Sequence, residues 1–164
     1  LLAFLGRQEE FKEIGWAATA GLTLPVKWGK DGNQFSVQAT YAVNASPYLG
    51  TVVDASSLAS TIPVPVTTQG WSVVGSYHHA WSEQWESNVM ASYLALELST
   101  PRFQPSVRTQ RYAANVIWKP VKDFKIGAEF GYVDSEIDLG GPLGLHKGTR
   151  GKGKIGYLLA TWSF

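Results

Sequence analysis

The sequence predicts an all-β chain: an antiparallel transmembrane β-barrel, of which about seven or eight strands are present. Three observations predict it. Apolar and polar residues alternate with period two over stretch after stretch. The links between those stretches alternate short and long without exception. Near both ends of the stretches aromatics stand on the apolar parity, with small aliphatics between them. In lipid a β-structure has to close, because no water is there to satisfy an open backbone edge.

The elements follow in order. Residues 1–8 are the first candidate strand, and 14–27 the next, bracketed on one parity by Trp16 and Trp28. The 28–33 link, Trp-Gly-Lys-Asp-Gly-Asn, is tight and Gly-rich. In 34–43, Phe35, Val37, Ala39, Tyr41 and Val43 share one face, while Ser36, Gln38 and Thr40 take the other. A long link, 44–70, leads to 71–81, bracketed by Trp71 and Trp81. The short 82–84 link opens 85–96, where Trp85 and Tyr93 oppose Glu86, Asn88 and Ser92. After the long 97–108 link, 109–119 sets Tyr112, Ala114, Val116 and Trp118 against Arg111, Asn115 and Lys119. A short 120–123 link joins 124–133, where Phe124, Ile126, Ala128, Phe130 and Tyr132 oppose Lys125, Gly127, Glu129 and Gly131. The long 134–153 link precedes 154–164, whose every second residue suits lipid: Gly156, Leu158, Ala160, Trp162 and Phe164.

Barrels of the outer membrane sort their turns this way, with short ones at the periplasmic rim and long ones outside. Placing Phe164 at the periplasmic rim puts all the short turns on that side. A soluble sandwich has no reason to sort loops by length, and aromatics of a soluble barrel would favour mid-strand.

Composition agrees. The chain is 45% hydrophobic yet has a mean hydropathy of -0.07, so its apolar residues are diluted rather than gathered in blocks. No continuous apolar run is long enough for a helical span, and Pro63 and Pro65 interrupt the uncharged interval 55–82. The 17 glycines and the many aromatics suit an all-β chain. Absence of cysteine suits passage through an oxidising periplasm. A net charge of +1 gives no broad electrostatic case for nucleic acid. Residues 1–6 lack the features of a signal peptide, so the chain is expected to be a C-terminal fragment of one barrel domain spanning 1–164, without further domains.

Motifs suggesting chemistry give way to plainer readings. His78 and His79 are adjacent strand residues and point to opposite faces, so they cannot share a ligand sphere. By parity His79 goes with Tyr77 and Trp81 on the lipid side and His78 faces the lumen. His146 stands in a long external loop. Gly151-Lys152-Gly153-Lys154-Ile155-Gly156 fits a glycine-rich nucleotide fingerprint, but a strand follows it where a helix is required. No catalytic, cofactor or metal residue is expected.

Three segments resemble a known family. "GWAATAGLTLPVKWGKDGNQFSVQATYAVNASPYLG", "SYHHAWSEQWESNVMASYL" and "NVIWKPVKDFKIGAEFGYV" are similar to the C-terminal half of alphaproteobacterial general porins. The WKPVKDFKIGAE hairpin is the most specific piece, and the likeness runs over 14–164. It implies a passive diffusion channel for small hydrophilic solutes and ions, of about sixteen strands, assembled as a homotrimer. This chain holds about half that number, and the constriction loop of the family lies in the other half.

The candidate pore-lining residues are Gln38, Glu86, Arg111, Asn115, Lys119, Lys125 and Glu129. Arg111 is the residue solutes are expected to feel most, with Arg102 and Arg108 adding to a basic mouth. The candidate aromatic girdle residues include Trp16, Tyr41, Trp71, Tyr93, Tyr112 and Tyr132. They also include Trp28, Phe35, Trp81, Trp85, Trp118, Phe124, Trp162 and Phe164. Expected partners are outer-membrane lipid, lipopolysaccharide at Lys147, Arg150, Lys152 and Lys154, and the barrel-assembly machinery through the last strand. The competing expectation is a complete eight-stranded, plugged barrel serving as adhesin, anchor or lipid-modifying enzyme. The last would need a Ser-His pair near the external rim.

Overall fold

A computed structural model describes residues 2–6, 14–27, 31–50, 67–100, 104–140 and 148–163. Eight strands lie in one antiparallel sheet in chain order. They are β1 (Leu2–Gly6), β2 (Gly15–Pro25), β3 (Gln34–Val43), β4 (Thr67–Ala80), β5 (Trp85–Ser99), β6 (Ser106–Val121), β7 (Phe124–Asp138) and β8 (Thr149–Trp162). Each is hydrogen-bonded to its sequence neighbours, and among the described residues β1 and β8 are left as the two outer strands of an open sheet.

The short turns fall at one end, as expected. Gly32 adopts φ 109°, a left-handed value that glycine tolerates without strain, within the turn before β3. The β4–β5 turn is closed by Ser82, whose hydroxyl accepts from the amides of Gln84 and Trp85. Pro120 lies inside β6, where it has no amide to give the ladder. The register slips between Trp118 and Val121 there, and this bulge is where a strand tolerates proline.

At the other end the strands run further than hydropathy alone suggested. β4 begins at Thr67, β5 continues to Ser99, β6 begins at Ser106, β7 continues to Asp138 and β8 begins at Thr149. Parts of the predicted long links are therefore strand. Ladder hydrogen bonds persist where the apolar pattern stops, because charged pairs replace aromatics across the strands. Arg150 donates to both carboxylate oxygens of Asp134, Nε at 2.7 Å and Nη2 at 2.6 Å. The Asp134 carboxyl is held below its ordinary value, first by that hydrogen bond, and Arg150 is raised by the same partner.

The two faces differ in burial. Along β6 partly buried residues alternate with exposed ones, Arg111, Asn115 and Ile117 against Tyr112, Val116 and Trp118. Side chains on the inside of a curled sheet converge and screen one another, while those outside splay apart. The exposed face is apolar: Trp81 is 66% accessible, Phe130 56% and Leu158 87%. An exposed apolar face of this kind suits lipid better than water, and no helix among the described residues is long and apolar enough to cross a membrane.

Candidate channel wall and inward turn

The register assigns the predicted wall residues to shared rows. Gln38, Ser92 and Arg111 belong to one cross-strand row, with Val74 and Val133 between and beyond them. A second row, nearer the short turns, runs His78, Asn88, Asn115, Glu129. Its side chains are hydrogen-bonded in sequence: His78 Nδ1 and Asn88 Oδ1 at 2.8 Å, Asn88 Nδ2 donating to Asn115 Oδ1 at 2.8 Å, and Asn115 Nδ2 donating to Glu129 Oε2 at 3.4 Å. Below it Lys119 is ion-paired with Glu86. Lys125 stands opposite Thr161 on β8. All seven candidate wall residues thus share one face.

The other face carries the aromatics in two belts. Ring contacts join Trp16 to Tyr41, Trp71 to Tyr93 and Tyr112 to Tyr132 in the external belt. Trp85 stacks on Trp118, and Phe124 meets Trp162, in the belt beside the short turns. Phe35 faces Tyr77 across β3 and β4. His79 packs edge-on against Trp81 at 4.1 Å, on this face and away from His78. Trp28 and Phe164 lie outside the described residues, as do His146, Arg102 and Lys147.

Two charged residues need correction. Arg108 is on β6, not in a loop, and shares the parity of Tyr112, so it points away from Arg111 and not into a basic mouth. Arg150 is on β8 and is tied to Asp134, so it is not a free loop cation.

The sequence reading missed an apolar patch at the external end of the inner face. Leu94, Leu96 and Leu98 of β5 are buried there, with Ala17 of β2 and Ala42 of β3, and Val107 of the adjoining β6 packs against the cluster. Leu49, 4% accessible, closes the cluster from above. It belongs to a one-turn 3₁₀ helix, Ser46–Leu49, that folds inward just after β3. Left-handed residues bracket the turn, Asn44 at φ 49° and Gly50 at φ 71°. Asn44 fixes its start by exchanging hydrogen bonds with Thr68, backbone amide to carbonyl at 2.7 Å and Oδ1 from the Thr68 amide at 2.8 Å. Gly70 makes room, since a Cβ there would lie 2.9 Å from Leu49 Cδ1. The signal was present in the even-numbered leucines of "LALELS".

Polar and charged residues on one face, aromatic belts on the other, and strands joined by alternating links are the surface chemistry of a membrane channel wall. A family model described as the porin subfamily matches residues 11–149. The chain belongs to the porin family. No curated protein matches it, and no solved structure does. Membership makes it a porin-type outer-membrane channel, in a family of non-enzymatic channels. Among the described residues no three potential metal ligands cluster.

Proposed function

We propose that this porin forms a water-filled channel for the passive diffusion of small hydrophilic solutes and ions. The observation that carries this reading is the row of polar and charged side chains that runs along the inner face. From Thr40 and Gln38 through Arg111 to Asn115, Glu129 and Lys125, hydrophilic side chains line the side opposite the aromatic belts. A water-filled lumen solvates such residues, whereas lipid would not.

The eight strands are one part of a single barrel domain of about sixteen, assembled as a homotrimer in the outer membrane. The inner face of β8 favours this over a closed, plugged barrel. Ile155, Tyr157 and Leu159 are 44%, 51% and 65% accessible, whereas in a closed eight-stranded barrel opposing side chains fill the interior. β8 is also the element that the barrel-assembly machinery would engage. Arg108, Lys152 and Lys154 share the outer face near the external belt, facing the place of lipopolysaccharide phosphates.

Reconstitution of the full-length polypeptide in planar bilayers tests the reading. Stepwise conductance increments in KCl, and swelling of liposomes in isosmotic small sugars, are the expected results. Protein that inserts with its heat-modifiable barrel intact but passes neither ions nor sugars would overturn it.

A further inference from the structure

Beneath the inward turn lies a cavity of about 490 Å³ on the inner face. Its chemistry is divided. Leu94, Leu96, Leu98 and Val107 form an apolar floor at the external end, roofed by Tyr48 and Leu49. Toward the channel centre it is lined by the hydroxyls of Thr40, Ser72 and Ser92, and by Arg111. Arg111 is half-buried, and the ion pairs among the described residues, Lys119 with Glu86 and Arg150 with Asp134, do not include it. A guanidinium in that position retains donors in a fixed fork suited to a planar carboxylate.

A sugar gains little from the leucine floor, and an inorganic anion gains nothing from it. A solute with an apolar body and a single negative head uses both halves at once. Resting on the channel reading above, we propose that this cavity is a binding station on the channel wall for small amphiphilic monocarboxylates. The carboxylate takes Arg111 and the hydrocarbon part lies against Leu94 and Leu96 under Leu49. The inward turn then provides the third wall of a site that a bare sheet could not form.

Calorimetric titration of the full-length protein in lipid nanodiscs, with acetate, hexanoate and hexanamide as probes, tests the assignment. Empty nanodiscs correct for partition into lipid. Hexanoate is expected to bind saturably and at least about tenfold more tightly than acetate, since four additional methylenes leave water. Arg111→Gln weakens hexanoate by about tenfold or more, as a charge-assisted contact is lost, and Arg111→Lys retains part of the binding. Leu96→Ser weakens hexanoate more than acetate, so that the preference between the two falls. That split separates a tail contact from a general loss of structure. Hexanamide binding as tightly as hexanoate, or hexanoate binding equally to wild type and Arg111→Gln, overturns the proposal. The titration needs no current, so its outcome is distinct from that of the diffusion reading, which the bilayer conductance decides.

Discussion

At the scale of single residues, two side chains carry contributions that can be measured directly. Asp134 is held below its ordinary pKa of 3.8 by Arg150 across the β7–β8 ladder. A carboxyl depressed in the folded state contributes stability that is complete above its unfolded value and is lost as pH falls through the folded one. The Asp134 carboxyl ¹³C resonance is therefore expected to titrate with a midpoint below 3.8, and Arg150→Gln to move that midpoint upward. An unchanged midpoint in Arg150→Gln would show that the hydrogen bond is not its cause. Leu49 is the other case. Its truncation to Ala removes packing worth about 2–5 kcal/mol at a fully buried site. The loss falls on the turn that Leu49 anchors, so amide exchange at Tyr48 and Gly50, whose hydrogen bonds to Ala45 and Pro47 close the turn, accelerates far more than exchange in β3 or β4. Equal protection in both variants would mean that Leu49 does not hold the turn. Parity puts Gln38, Arg111, Asn115 and Glu129 on one face, as the register does, because a strand offers only two faces. Leu49 was not legible, because its burial depends on leucines from a strand far along the chain.

At the scale of elements, the β3–β4 ladder is closed at both ends by asparagine. Asn44 accepts from the Thr68 amide at the external end, and Asn33 from the Ala80 amide at 2.7 Å beside the short turn. Asn33 is only 2% accessible, so the amide it satisfies has little access to water. Asn33→Ala leaves that donor without its side-chain acceptor and costs about 1–3 kcal/mol. The measurable outcome is a lower denaturant midpoint in micelles, with fraying concentrated at Gln34, His78 and Ala80. A midpoint equal to wild type would show that water replaces the asparagine. Strand order and turn positions could be read from alternation and from glycine-rich links. The outer limits of β6, β7 and β8 could not. Hydropathy marks where lipid ends, whereas pairing continues as long as neighbours such as Asp134 and Arg150 hold the ladder together.

At the scale of the whole molecule, the aromatic belts report how the strands cross the membrane. Followed through the register, the external belt drops two residues from Trp16 to Tyr41, none to Trp71, two to Tyr93, two to Tyr112 and none to Tyr132. The belt beside the short turns drops four from Phe35 to Trp81, none to Trp85 or Trp118, two to Phe124 and none to Trp162. Both belts therefore descend six residues over five inter-strand steps. Girdle residues sit at one membrane depth, so this descent measures the inclination of the strands. Six residues at about 3.3 Å make about 20 Å, against about 24 Å for five spacings of about 4.8 Å, which gives a tilt of about 40°. The two belts slope equally, as the two interfaces of one bilayer would require. Polarised infrared spectroscopy of the full-length protein in oriented bilayers is expected to return an amide I dichroism corresponding to about 40°, within the range of membrane barrels. Strands found within about 20° of the normal would place the aromatics at scattered depths and would remove the case for the belts. Quenching by lipids brominated at different acyl positions gives the same test residue by residue. Single-tryptophan variants retaining Trp71 or Trp81 should both quench most strongly near the interface, and strong quenching of either at the bilayer centre would contradict the tilt.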